Sequence, residues 1–339
     1  MAKPYKQEKK AYKKVKRRLP QKAAPAARMP PWADRLPFLR LLPPITPPMC
    51  STPSPPTAMP PSSPSPGWAA RDKPLQRLMI AGGGCKLALA IATNVTVLCM
   101  LYGCMMGNYD GLYLPMMVLG YVFSAPFFAL TIRTSQKHGQ KRSLMTYVAV
   151  ALVCYVGVLA LLMMWQPGNP ALNLRFMADG KLSLNLYTIA FLLLFGIGYG
   201  AYYSTADMPI PMVADCADYE TYRSGKFIPG IMGTLFSLVD KLVSSLSATV
   251  VSIAVGFIGY HGLPTKATPY MAGMNWVVIA LFCIVPMAAW VLTLWAMKGY
   301  ELDGKKVKLI QKVNTARKEA IAGGMTLEEA MKTITDETV

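Results

Sequence analysis

YVAVALVCYVGVLALLMMW, residues 147–165, contains no charged side chain. At about 1.5 Å per residue, a helix of this length matches the ~30 Å hydrocarbon core of a bilayer. Working outward from it, five further apolar runs follow the same pattern, with the charges held in the gaps between them. Helices are predicted at about residues 78–104, 112–132, 145–165, 184–206, 229–260 and 274–297. Backbone polar groups in lipid must be satisfied within the segment itself, which selects helix over isolated strand. No soluble domain requires six such runs. The predicted fold class is therefore an all-α membrane protein, a six-helix transmembrane bundle.

The composition divides into two regimes. Residues 1–77 hold 18 of the 28 prolines and 16 of the 35 Lys and Arg residues. A basic block from Lys3 to Lys22 leads into a tract containing Pro43-Pro44, Pro47-Pro48, Pro55-Pro56 and Pro60-Pro61. Proline has no amide proton and a fixed φ, so this tract is expected to be disordered, with polyproline-II character. It lacks the apolar core of a signal peptide. The formal charge of +18 suggests nucleic acid at first sight, but the basic residues cluster beside the spans and in the tails, so no nucleic-acid partner is expected. The predicted organisation is a disordered basic and Pro-rich tail over 1–77, a transmembrane bundle over 78–297 and a cytoplasmic helical tail over 298–339. In that last part a helix is expected from Lys305 to about Ala322, stopped by Gly323-Gly324, and Thr326 with Glu329 reads as a capping box opening a short final helix.

The Lys/Arg bias sets the orientation. Arg71, Lys73 and Arg77 precede the first span. Arg133, Lys137, Lys141 and Arg142 fall between spans two and three, Arg223 and Lys226 between four and five, and Lys298, Lys305, Lys306 and Lys308 after six. The opposite loops hold Arg175, Lys181 and Lys266. Both termini are thus expected to be cytoplasmic, in a multi-pass protein of the plasma or inner membrane with lipid as its surroundings. Aromatics fall near the predicted span ends, Tyr109, Tyr113, Trp165, Tyr260, Tyr270, Trp276 and Tyr300 among them.

Seven cysteines (50, 85, 99, 104, 154, 216 and 283) form no Cys-x-x-Cys pair, so neither a disulfide framework nor a zinc site is expected, and most read as small apolar helix residues. His138 and His261, the only histidines, fall in predicted loops on opposite sides. With no His/carboxylate or Ser/His pairing at usable spacing, no catalytic residues, metal site or enzyme activity are expected.

Charge inside a span costs about 2.5–3.5 kcal/mol on insertion scales and so calls for a functional reason. Lys86 lies in the first span, Asp207 ends the fourth, and Asp240 and Lys241 lie midway along the fifth. Being adjacent, Asp240 and Lys241 point about 100° apart on a helix. Ser237, Lys241, Ser244, Ala248 and Ser252 share one stripe, which suggests a water-filled cavity along the helix. Its alternative is serine-mediated helix packing, with Asp240 meeting a cation on a neighbouring helix. Span four brings Gly196, Gly198 and Gly200 beside Tyr199, Tyr202 and Tyr203. Rings and hydroxyls next to glycine-made space suit a polyol; the same pattern suits close helix packing with an aromatic belt, and the residues alone leave the two level. Pro209 and Pro211 are expected to break this helix.

The segment Met212-Val-Ala-Asp-Cys-Ala-Asp-Tyr-Glu-Thr-Tyr-Arg-Ser-Gly-Lys226, followed by Gly230 and by Lys241 in the next span, resembles the glycoside–pentoside–hexuronide:cation symporters of the major facilitator superfamily. Lys137-His-Gly-Gln-Lys-Arg142 is similar to the superfamily's short basic cytoplasmic loop. The resemblance covers roughly residues 75–318. It departs from the family's pattern at Phe227, where a basic residue is common. The resemblance implies two six-helix bundles around a sugar cavity, with the present spans corresponding to the second bundle. It implies secondary active sugar:cation symport, here by a truncated half carrier, with a complementary half or a homodimer completing it. The coupling ion, Na⁺ or H⁺, would then bind in the first bundle, and no other cofactor is implied. Substrate-binding residues are expected at Lys241, Ser237, Tyr203 and Tyr199, and gating residues of the cytoplasmic loops at Asp215, Asp218, Tyr219, Lys226 and Arg142. The competing expectation is a non-transporting membrane scaffold acting through the Pro-rich tail.

Overall fold

The structure, a computed structural model, describes residues 72–178, 181–260, 262–336 and 338. The expected disordered tail up to residue 71, and His261, lie outside the described residues. The elements run α1 (Lys73–Ala92), α2 (Val95–Met105), α3 (Tyr109–His138), α4 (Gln140–Met164), α5 (Leu186–Thr205), α6 (Pro209–Ser224), α7 (Pro229–Gly256), α8 (Met274–Lys298), α9 (Gly304–Ala322) and α10 (Leu327–Thr333). A two-residue antiparallel pair, β1 (Met177–Ala178) and β2 (Lys181–Leu182), sits between α4 and α5. Six helices are long and apolar enough to cross a membrane, with α5 and α6 counting as one stretch, Leu186–Ser224.

Several boundaries differ from the sequence expectation, each for a local reason. The first helix starts at Lys73 rather than 78, because Asp72 Oδ1 accepts the Leu75 amide at 3.2 Å and Pro74 sits in the first turn. That helix ends at Ala92, not 104. The polar pair Thr93-Asn94 interrupts it: Thr93 caps the end, and Asn94 accepts the Thr96 amide at 2.9 Å to open α2. The residues 133–142 expected as a basic loop are almost wholly helical, so His138 ends α3 and Arg142 lies in the first turn of α4. Gly139 alone joins them, at φ +91°, and its Cα packs close to Gly304, where a side chain would collide with backbone. The fifth span stops at Gly256, short of residue 260.

In the interior, α1 packs against α8, α7 and α6, while α5 packs against α3 and α4. The α1–α8 contact is close because Gly84 lacks a side chain: a Cβ there would lie 2.5 Å from Thr293 Oγ1 and 2.7 Å from the Ala289 carbonyl. Thr293 Oγ1 is within 3.1 Å of the Ala81 carbonyl and 3.0 Å of the Ala289 carbonyl. Tyr155 of α4 meets Trp290 of α8 edge-on at 4.8 Å and Tyr202 of α5 at 5.9 Å. Tyr300, expected as an interfacial aromatic, is instead fully buried: its hydroxyl lies 3.5 Å from Cys216 Sγ, and burial raises its phenol pKa.

The tail beyond α8 is docked rather than free. Asn314 Nδ2 donates to the Asp218 carbonyl at 2.8 Å. Buried Arg317 donates to the carbonyls of Tyr222 (2.8 Å) and Ile334 (3.1 Å). The expected capping box forms both of its bonds, Glu329 N to Thr326 Oγ1 and Thr326 N to Glu329 Oε2. This module shares one end of the bundle with the start of α1, the α3–α4 junction and the α6–α7 connection. Among the described residues, that end carries most of the Lys and Arg and is termed the basic end.

Candidate functional site

Three charged side chains far apart in the sequence meet where α1, the α5–α6 turn and α7 converge. Lys86 projects from α1. Asp207 occupies the turn between α5 and α6, where Pro209, having no amide to donate, opens a new helix. Asp240 comes from α7. Lys86 Nζ donates to Asp207 Oδ1 at 2.6 Å and stands 3.9 Å from Asp240 Oδ1. Asp207 is largely exposed at 73%, whereas Lys86 and Asp240 are 22% and 25% exposed. Asp240 Oδ1 is sealed from solvent and receives no hydrogen bond among the described residues. These three side chains were each visible in the sequence as polar intrusions into a span. Their convergence was not, because Lys86 and Asp207 are 121 positions apart.

Beside this cluster lies a cavity of about 350 Å³ between α1, α6 and α7, lined by Lys86, Val213, Gly233, Phe236, Ser237 and Asp240 among others. Gly233 leaves it open: a Cβ there would meet nothing within 4 Å. Lys241, one residue on from Asp240, lies about 100° further round α7. It is exposed and forms no ion pair with the described residues. Ser237, Ser244, Ala248 and Ser252 are exposed with it. The stripe, expected to border a cavity within the bundle, lies on its outer surface, with Ser237 also reaching the cavity, because α7 packs through Met232, Phe236, Ser247, Val251 and Val255.

The tyrosines of α5 divide. Tyr199 and Tyr203 stack at 5.3 Å, and Tyr121 of α3 meets Tyr203 edge-on at 5.7 Å. Tyr199 is buried and Tyr203 half-buried. The space vacated by Gly196 and Gly200 is not open to a ligand. Cβ atoms there would lie 2.8 Å from the Phe123 ring and 2.7 Å from the Phe127 ring. The glycines let α3 approach α5, which is the packing alternative of the sequence reading.

The expected gating residues are not in loops, Lys226 excepted. Asp215, Asp218 and Tyr219 belong to α6, which continues the polypeptide as an amphipathic helix. Asp215 borders a cavity of about 240 Å³ with Lys141, Met212, Lys308 and Gln311. Asp218 Oδ2 accepts from Gln311 Nε2 at 3.4 Å, and the Tyr219 ring lies 5.5 Å from Lys306 Nζ and 6.0 Å from the Arg223 guanidinium. Lys226 is exposed between α6 and α7, and its carbonyl accepts from Thr221 Oγ1 at 3.3 Å. Arg142 is exposed in the first turn of α4. At the same end, Asp72 is buried with Oδ2 unpartnered among the described residues. Loss of water, with Glu220 nearby, raises its carboxyl pKa above the ordinary value, against the Leu75 amide and Arg223, which lower it.

A charged cluster between apolar helices, a polar stripe on an apolar helix and a basic end suit a protein that handles polar solutes across a bilayer. Comparison with known proteins agrees. An uncharacterized 29.9 kDa protein in the crtE 3′ region of Pseudescherichia vulneris is 30% identical over 123 residues, covering 36% of this chain and 43% of that protein. This chain thus aligns with less than half the length of that relative. A family model described as MFS/sugar transport protein matches residues 67–304, more than half of the chain, and the chain belongs to that family of membrane transporters.

Proposed function

We propose that the chain is one six-helix body of a carrier, not an enzyme, performing sugar:cation symport of the glycoside–pentoside–hexuronide type. It corresponds to the second bundle of a major facilitator transporter and works against another six-helix body, a complementary half or a second copy. The observation that carries this reading is the outer face of α7. Ser237, Lys241, Ser244 and Ser252 are all exposed on a helix otherwise apolar enough to span a membrane. An ammonium group near mid-bilayer is costly against lipid. Water between two bundles removes that cost, and alternating access about a midplane site needs two such bodies. Lys241 and Ser237 then face the substrate path, and Tyr203, half-buried on α5, is the tyrosine proposed to reach it. The coupling Na⁺ or H⁺ binds in the opposing body. The Lys/Arg bias puts the basic end, with both termini, in the cytoplasm. There α6 extends beyond the bilayer, since 39 residues of Leu186–Ser224 far exceed one crossing. Asp215, Asp218 and Tyr219 hold α9 against α6 at the cytoplasmic mouth.

The test is counterflow of labelled glycosides in vesicles that contain this chain together with a first six-helix half of the same family. Counterflow is expected with the wild type, and Lys241→Ala is expected to lower it at least tenfold at equal protein level. Absence of counterflow, or an unaffected Lys241→Ala, would contradict the carrier and favour a non-transporting scaffold.

A further inference from the structure

At the end of the bundle away from its basic end, α2 is not an ordinary helix. From Cys99 to Met105 its backbone hydrogen bonds reach over five residues instead of four, the wide turn of a π-helix. In an α-helix, at 100° per residue, Cys99 and Cys104 would point about 140° apart. In the wide turn the fifth residue on sits above the carbonyl it bonds, so Cys104 stands one turn above Cys99 on the same side. Stacked in this way, two Cα atoms fall within the roughly 4.4–6.8 Å that a disulfide bridges. Both are free thiols, each with 7% of its surface exposed.

Each thiol has polar neighbours. Cys104 Sγ donates to the Thr265 carbonyl at 3.6 Å. Cys99 has the Tyr109 hydroxyl and the Lys266 ammonium beside it, and its charge is felt at Cys104. Burial disfavours a thiolate at Cys99, while the Tyr109 and Lys266 groups favour it. Thr265 and Lys266 belong to the connection 257–273 between α7 and α8, which lies against this end of α2. Gly103 lets it come close: a Cβ there would be 3.2 Å from Lys266 Cα and 3.2 Å from its carbonyl oxygen. Lys266 Nζ also donates to the Asp110 carboxylate of α3 at 3.0 and 3.1 Å. The Cys104 thiol is thus one of the ties between this loop and the α2–α3 corner.

We propose that Cys99 and Cys104 are a reversible dithiol–disulfide couple, and that closing the disulfide unties the loop 257–273 from α2. The oxidant is a small disulfide. The Cys99 thiol loses its proton and its sulfur attacks one sulfur of the oxidant, forming a mixed disulfide and expelling one thiolate. The Cys104 thiol then loses its proton, attacks the Cys99 sulfur and expels the second thiolate. Two electrons and two protons leave the cysteine pair, and the oxidant ends as two thiols. Cys104 then has no hydrogen left for the Thr265 carbonyl. The orientation proposed above sets the pair on the outer side of the membrane, where disulfides persist. The chemistry of the pair does not depend on transport.

The experiment uses the full chain in lipid nanodiscs, treated with dithiodipyridine, a small uncharged disulfide. Both cysteines lie in one tryptic peptide, residues 87–133, which holds no other Cys. After oxidation this peptide is expected to be two hydrogens lighter, and to regain them with dithiothreitol. Cys99→Ser or Cys104→Ser is expected to abolish the loss. Cys104→Ser combined with Met105→Cys, which sets the two sulfurs six positions apart, is expected to close at least tenfold more slowly. Limited trypsin digestion of the intact protein reads the loop at the Lys266–Ala267 bond. Oxidation is expected to speed this cut at least threefold in the wild type. Cys104→Ala is expected to be cut at the fast rate with or without oxidant, and Cys104→Ser, which keeps a hydroxyl donor for Thr265, at the slow rate in both. A peptide that loses no hydrogens, equally fast closure of the shifted pair, or a cut at Lys266 that oxidation leaves unchanged overturns the proposal. Counterflow enters none of these outcomes, so the carrier reading stands or falls separately.

Discussion

Helices α1 and α7 are both apolar enough to cross a membrane, yet 56% of the apolar stretch of α1 is buried inside the chain and only 17% of that of α7. The first is the axis of this bundle, enclosed by α8, α7 and α6. The second touches the bundle along one narrow side and presents two uncovered faces. One of these holds Leu238, Leu242, Leu246 and Ile253, each more than half exposed, and suits lipid. The other holds Ser237, Lys241, Ser244 and Ser252 and does not. Hydropathy alone equates the two helices. Their packing separates an interior support from a working surface, and the charges follow that division, with Asp240 turned in to Lys86 and Lys241 turned out.

The sharpest way to break this contrast is to add bulk to a glycine in each helix. Gly84→Val drives methyl groups into Thr293 and the Ala289 carbonyl. It should cost about 3 kcal/mol or prevent accumulation of monodisperse protein in detergent. Gly233→Ala meets open space on α7 and should change the unfolding free energy by no more than about 1 kcal/mol. Similar losses at both positions would mean that α7 is packed as tightly as α1.

A smaller effect is expected at Asp72, where α1 begins. Burial raises this carboxyl pKa, so the fold disfavours the charged form. Its unfavourable contribution is present above the raised folded value and disappears as pH falls through that value towards the ordinary carboxylate range. Asp72→Asn keeps a capping acceptor for Leu75 and removes the charge. It should be more stable than wild type near pH 7, with the difference shrinking as pH falls through the raised folded value towards the ordinary carboxylate range. Thermal unfolding across that range reads the sign, and a variant less stable than wild type at neutral pH would refute it.

The fold was largely legible because bilayer thickness imposes a length on apolar runs that few other structures share. The helix break at Pro209, the stop at Gly323 and the capping box of Thr326 were legible because each depends on neighbours within a few residues. What failed depended on distant partners. Gly196 and Gly200 suggested open space, but the rings that fill it come from α3. Tyr300 read as an interfacial ring, but α6 covers it. Asp215, Asp218 and Tyr219 read as loop because charges gather there, whereas α9 supplies the surface that lets the segment stay helical. Lys86, Asp207 and Asp240 each stood out as polar, and nothing local predicted that they meet.

The central claim is that water, and not lipid, covers the polar face of α7. Single cysteines at 237, 241, 244 and 252, and in parallel at 238, 242, 246 and 253, can be challenged with a membrane-impermeant thiol reagent in intact vesicles. The account predicts modification of the first set at least tenfold faster than the second, although both sets are equally bare in this chain. Uniformly slow reaction of all eight positions would contradict it.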